Sequence, residues 1–208
     1  MRRSHFETVI LAVKPQVLDA VATQLTLTPD SLLISILAGA SLARLGAAFA
    51  VPAIIRAMPN TPALVGAGMT ALCCAPGVSA AQQTQAEAIF ASVGQVLSVP
   101  EGYMDAVTAV SGSGPGYLAV VLEGLIDGGV QAGLPRDLAT TLALQTLLGT
   151  ATLLQTEHLH PAVLKDRVTS PGGTTIAGIA VLEAAGLRGT LMQAVQAACS
   201  RSRSLSEI

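Results

Sequence analysis

Strand character ends abruptly in this sequence: short, β-rich apolar runs recur up to Val99, and none follows. Residues 8–13, 31–36 and 52–58 read as buried strands, and the segments between them, 16–24 and 41–49, carry apolar residues at helical spacing. A β-α-β-α-β order makes successive strands parallel, because each crossover helix returns the chain to the same end of the sheet. Residues 69–74 supply a further strand, 79–93 a helix and 96–99 a last short strand. From Glu101 onward only helical segments remain, punctuated by glycine and proline at 112–116, 133–135, 160–161, 171–173 and 186. The sequence therefore predicts part of an α/β sheet over residues 1–100 and an all-α domain over 101–208, with a polar, frayed tail from Ser200.

An apolar share of 51% is ample for the core of a 208-residue chain, yet aromatics make up only 2% and Trp is absent. The abundant small and aliphatic residues let helix backbones approach closely and favour extensive helix–helix interfaces. Lys and Arg total 11, scattered singly, and the net charge is −2, so there is no basic face for nucleic acid or an anionic membrane. The longest uncharged stretch, 138–156, is long enough to span a bilayer, but Thr140, Thr141, Gln145, Thr146, Thr150 and Gln155 within it are penalised by lipid. It reads as a helix buried in soluble protein. Residues 1–6 reach Glu7 before an apolar run develops, which does not match a signal peptide. Cys73, Cys74 and Cys199 form no C-x-x-C pair, and the reading is reduced thiols in a cytoplasmic protein. His5, His158 and His160 lack partner ligands, so no metal site is expected.

In open α/β sheets ligands sit beyond the C-terminal ends of the strands. Lys14-Pro15, Ala38-Gly39 and the run from Met58 through Asn60 to Pro62 lie there. Lys14 offers a cation to a phosphate or ribose, and the small Ala38-Gly39 pair permits close approach of a flat ligand. The other reading, a solvated lysine and prolines that only shape turns, stays open on the residues alone. In the helical half, Ser111-Gly112-Ser113-Gly114-Pro115-Gly116-Tyr117 and Thr169-Ser170-Pro171-Gly172-Gly173-Thr174-Thr175 each read as a helix start with a hydroxyl N-cap. Uncovered N–H groups at such a start suit a carboxylate, and equally a glycine-rich start serves tight helix packing.

Residues 164–176, Leu-Lys-Asp-Arg-Val-Thr-Ser-Pro-Gly-Gly-Thr-Thr-Ile, resemble the signature of pyrroline-5-carboxylate reductases. Ala12-Val13-Lys14-Pro15, residues 56–62, residues 105–115 and Gly133-Leu134-Pro135-Arg136 fall in that family's order and spacing, so the resemblance covers nearly the whole chain. It implies a partial dinucleotide-binding, Rossmann-like parallel sheet over 1–100 followed by a helical substrate and dimerisation domain over 101–208. It also implies reduction of 1-pyrroline-5-carboxylate to L-proline with NADPH or NADH, in a homodimer or a ring of dimers. Val13, Lys14, Pro15 and Ala38 then fall at cofactor positions with Asn60 beside them, and Gly172, Gly173, Thr174, Thr175 and Glu101 fall at the substrate. Thr175 is the candidate catalytic residue, its hydroxyl bonding the ring nitrogen. Two departures stand out: Gly116 replaces a frequent Ala, and Arg167 replaces an Asn that touches cofactor in some members. No G-x-G-x-x-G turn precedes Thr8, and the expectation is that roughly 60 residues, two strand–helix units of the fold, are missing ahead of it. The rival expectation is a truncated, catalytically impaired dimeric remnant that keeps the substrate-binding helices.

Overall fold

The computed structural model describes residues 2–3 and 7–206. Contacts divide the chain into two compact units: residues up to Pro115 together with those from Ala194 on, and Gly116–Gln193. Residues 1–6, read as unlike a signal peptide, lie outside the described residues except for Arg2–Arg3, whose backbone pairs in parallel with Leu25–Thr26.

The first unit is built on a five-stranded sheet in the order β1 (Thr8–Leu11), β2 (Leu32–Ser35), β3 (Ile54–Met58), β4 (Gly68–Cys74), β5 (Gly94–Ser98). Strand pairs β1–β2, β2–β3 and β4–β5 are parallel, as the alternating pattern requires. The β3–β4 pair is antiparallel, a correction to a uniformly parallel sheet. Its cause is the connection: residues 59–67 hold only a 3-10 turn at Thr61–Val65 and no crossover helix, so the chain must re-enter from the end it left.

Period-two alternation then sorts the strand residues onto two covered faces. Leu33 and Ile54 pack with Leu18 of α1 (Leu18–Gln24) and with Leu45 and Phe49 of α2 (Leu42–Phe49). Leu32, Ile34, Ile55, Ala57 and Leu72 pack with Ala86 and Phe90 of α3 (Ala80–Ala91). Ser41 starts α2 by accepting the Arg44 N–H at 3.1 Å, and Ser79 with Gln82 forms a capping box on α3. The same alternation puts Arg56 of β3, opposite Cys73 in register, on the α2 face of the sheet, where it is only 7% exposed.

After the sheet come α4 (Met104–Val107), α5 (Gly114–Gln131), α6 (Arg136–Thr156), α7 (Pro161–Arg167), α8 (Thr174–Ala184) and α9 (Leu187–Ser206). The expected frayed tail is corrected: α9 runs through Ser206, with Cys199 and Ser202 buried. Within Gly116–Gln193, Ala139 is the buried residue and the large apolar side chains stand open, Leu138, Leu142 and Leu148 of α6 among them. The expectation that 138–156 is a buried helix therefore fails for a single copy of the chain. By length and composition the helical run Glu101–Gln131 is also apolar enough to cross a membrane.

Gly94 sits at φ +152°, and a Cβ there would stand 2.0 Å from the Gly68 carbonyl oxygen, so β4 and β5 can start side by side only with glycine at this point. Gly94→Ala is expected to lower the stability of the folded protein by about 3 kcal/mol in denaturant unfolding. Gly46→Ala, inside α2 with its nearest neighbour 3.7 Å away, is expected to raise it by about 0.5–1 kcal/mol.

Candidate functional site

Three parallel neighbours, β1, β2 and β3, end at the same edge of the first unit and set the cofactor-side candidates together. Val13 and Lys14 follow β1 and are exposed, with Pro15 half-buried at the start of a 3-10 turn. Lys14 forms no ion pair among the described residues. Beyond β2, Ala38 is half-buried and Gly39 takes the left-handed conformation at φ +75°. Beyond β3, Asn60 is half-buried. Lys14 is an exposed cation that fits a phosphate-bearing ligand, whereas the space beside Gly39 is already taken by Leu205, 2.9 Å from an added Cβ, so the close approach of a flat ligand expected at Ala38-Gly39 is not open at the glycine.

Two of the candidates are engaged inside the chain. Asn60 Nδ2 donates to the Ser111 carbonyl at 3.1 Å, and its Oδ1 accepts the Met69 N–H at 2.9 Å, so it staples the β3–β4 connection to residue 111. Glu101 Oε1 accepts from Arg56 Nη1 at 2.9 Å and from the Leu42 N–H, at the start of α2, at 2.7 Å. The carboxylate therefore meets a helix N-terminus and a buried guanidinium at once. Arg56 Nε is buried without a partner. Sequence reasoning passed over Arg56 because a charged residue in an apolar run has no visible partner until the chain is folded.

The two glycine-rich stretches differ. Residues 108–112 form a π-turn that continues α4, and the Ser113 N–H donates to the Thr108 carbonyl at 2.9 Å. The stretch is thus a bulge within a nearly continuous helical run and not the free helix start expected from its glycines, because the 104–107 turn ahead of it is already helical.

Residues 170–175, in the second unit, do form a helix start, with a changed cap. The N-cap of α8 is Gly173 and not a hydroxyl residue, and Pro171-Gly172 makes the turn before it, Gly172 at φ +68°. The Gly173 N–H donates to the Ser170 carbonyl at 3.0 Å and so is not available to a ligand. A Cβ on Gly173 would lie 2.3 Å from Ser170 Oγ, so any larger residue there requires the Ser170 hydroxyl to turn away. The donors left facing out of the helix are those of Thr174 and Thr175, as at any first helical turn. Thr174 is exposed and Thr175 half-buried. The cofactor-side candidates and Glu101 thus belong to the first unit, and Gly172 to Thr175 to the second.

A family model described as pyrroline-5-carboxylate reductase dimerisation matches residues 101–205. A pyrroline-5-carboxylate reductase of Synechocystis sp. is 58% identical over 202 residues, covering 97% of this chain and 76% of the relative. That of Glycine max is 47% identical over 202 residues, covering 96% and 74%. Among solved structures, Plasmodium falciparum pyrroline carboxylate reductase with NADP bound superposes at a TM-score of 0.90 with 35% identity, covering 97% of this chain and 78% of that one. The chain spans about three quarters of the length of these relatives.

No group of three or more potential metal ligands occurs among the described residues, and the cysteines are free. Burial first, and then the nearby Glu101 carboxylate, push the Cys73 thiol above its usual range; burial and Glu87 do the same to Cys74. The protonated form is therefore held at pH values where an ordinary thiol ionises. At about pH 8.5, where a free thiol is half ionised, both should react with Ellman's reagent at least about tenfold more slowly in the native protein than in denaturant. Equal rates would show that neither thiol is shielded.

Proposed function

The chain belongs to the pyrroline-5-carboxylate reductase family, and we propose that it reduces 1-pyrroline-5-carboxylate to L-proline with NADPH or NADH. The observation that carries this reading is a close match running through both units, sheet and helices alike. It favours the reductase over a non-catalytic remnant. In this reading Val13, Lys14, Pro15 and Ala38 hold the dinucleotide, which supplies a hydride to the carbon of the cyclic C=N bond when bound. The Thr174 and Thr175 N–H groups at the start of α8 hold the substrate carboxylate, aided by the helix dipole, and Gly172 and Gly173 shape the turn that presents them. The Thr175 hydroxyl bonds the ring nitrogen and keeps its proton on the substrate side. No covalent nucleophile is needed, so positioning supplies much of the rate. Asn60 acts beside the cofactor through its hold on the residues around it.

We also read the working protein as a cytoplasmic homodimer. The open apolar side chains of α5, α6 and α8, with one buried residue within Gly116–Gln193, are what a helical unit shows when a second copy completes its core. Glu123 and Asp127 on α5 argue against lipid as the cover. The free cysteines suit a reducing compartment.

Purified protein should oxidise NADPH or NADH only when 1-pyrroline-5-carboxylate is present; no imine-dependent oxidation with either dinucleotide overturns the reading. Thr175→Ala should lower kcat by about 100-fold while leaving the thermal midpoint within a few degrees. Sedimentation of the wild-type chain should give at least twice the 21.0 kDa monomer mass.

A further inference from the structure

We propose that the Ser113 hydroxyl is a dinucleotide-binding group: presented by the π-turn at the C-terminal end of β3, it hydrogen-bonds the carboxamide of the nicotinamide and fixes how that ring lies. The proposal rests on the reductase reading above and deepens it, since it assigns a ligand to the first glycine-rich stretch, 111–117, which that reading leaves without a role.

Two contacts set this stretch at the ligand edge of the sheet. Met58 is the last residue of β3, and its Cε lies 2.6 Å from where a Cβ on Gly112 would stand. The chain at Gly112 therefore rests on the strand end with no side chain of its own between them. Two residues past the strand, Asn60 Nδ2 donates to the Ser111 carbonyl at 3.1 Å. Asn60 is itself fixed from the other side, its Oδ1 accepting the Met69 N–H at 2.9 Å. Residues 111 and 112 are thus held against the C-terminal end of the central strand, which is where open α/β sheets bind their ligands, and Ser113 is the next residue on.

Three hydroxyl residues occur between 108 and 113, and the helical run itself uses two of them. Thr108 Oγ1 donates to the Met104 carbonyl at 2.8 Å and Ser111 Oγ to the Val107 carbonyl at 3.0 Å, each four residues back. Ser113 is half-buried, and its hydroxyl has no hydrogen-bond partner among the described residues. Its N–H reaches back five residues to the Thr108 carbonyl at 2.9 Å, so the π-turn takes it out of the register in which the other two bond the helix. Beyond it the chain is open: a Cβ on Gly114 would meet nothing within 4 Å, nor would one on Gly116. The serine is pinned to the strand end on one side and has room for a ligand on the other. A hydroxyl both donates and accepts, which matches a primary carboxamide with its N–H donors and carbonyl acceptor. Asn60 spends its amide nitrogen and oxygen on the chain, so it positions this segment while Ser113 touches the ring.

The test uses the full chain with Ser113→Ala and, independently, Ser113→Cys, which keeps the size and weakens the hydrogen bond. Kd is read by fluorescence titration for whichever of NADPH and NADH binds the wild-type chain more tightly. KM for 1-pyrroline-5-carboxylate, kcat and the thermal midpoint are measured alongside. The reference ligand is the same cofactor without its nicotinamide: 2′-phospho-ADP-ribose for NADPH, ADP-ribose for NADH. In each variant the dinucleotide Kd should rise about fivefold and kcat fall about tenfold, the size of one lost hydrogen bond and of the ring misplacement it allows. Affinity for the reference ligand and KM for the imine should stay within about twofold. Ser113→Thr, which keeps the hydroxyl, should recover part of the loss. An equal loss of affinity for the reference ligand shows a general disturbance of the site and overturns the proposal. A rise in imine KM with unchanged dinucleotide Kd puts the hydroxyl on the substrate and overturns it too, as does a lower thermal midpoint with every ligand parameter unchanged. If Ser113→Ala does not fold, Ser113→Cys decides by the same readings. A wild-type chain that binds dinucleotide but turns over no imine defeats the reductase reading alone, and the titrations still decide the proposal; a wild-type chain that binds no dinucleotide defeats both.

Discussion

A guanidinium in the middle of a sheet needs a carboxylate, and the partner Arg56 finds comes from Glu101, the residue at which strand character gives way to helix. The geometry follows from alternation along β3. Ile55 and Ala57 turn toward α3 and complete an apolar layer, which leaves Arg56 on the opposite face with Cys73, beside Leu42. The desolvated charge is held by one oxygen that also takes the first N–H of α2. Three separate elements, β3, α2 and the segment after β5, meet at a single atom. The pair is half open to solvent on the Glu101 side, so its worth lies more in fixing these elements relative to one another than in raw stability.

The two units dispose of apolar surface in opposite ways. In the sheet unit the central strands have helices over both faces, and residues such as Leu33, Ile34, Ile55 and Leu72 are fully buried within one chain. The helices within Gly116–Gln193 keep only Ala139 out of solvent, although they carry many leucines and valines. The uncharged stretch 138–156 raised a membrane question for the same reason: Leu138, Leu142 and Leu148 stand open in a single chain, while the threonines and glutamines among them are what lipid penalises.

The strands were legible because β-rich runs end at turn residues: Lys14-Pro15, Ala38-Gly39 and Pro59 each mark a strand end within three residues of the observed one. Strand direction was legible where a helix intervened and illegible at β3–β4, where residues 59–67 hold too few residues for a crossover. Charge and polarity misled at α9. Ser200, Arg201, Ser202, Arg203 and Ser204 look like a solvated tail, yet Ser202 is buried because Asp105, 97 residues earlier, supplies its acceptor. Glu101 and Asn60 were found as functional candidates by resemblance, but their hydrogen-bond partners lie 9 to 59 residues away and leave no local trace.

Glycine is where local reading reached its limit. Gly114 and Gly116 have nothing within 4 Å of an added Cβ, whereas Gly173 would strike Ser170 Oγ and Gly39 would strike Leu205. In sequence the two glycine-rich stretches, 111–117 and 169–175, look alike: serine, glycine and proline ahead of an apolar helix. The first continues a helix already begun at Met104 through a π-turn, so its early N–H groups have acceptors. The second follows the left-handed Gly172 and a Ser170–Gly173 hydrogen bond that break the chain direction before α8 begins, so Thr174 and Thr175 start a helix with donors to spare. An anion site therefore depends less on the glycines than on what precedes them: a preceding helical turn closes the donors, and a turn of opposite hand opens them.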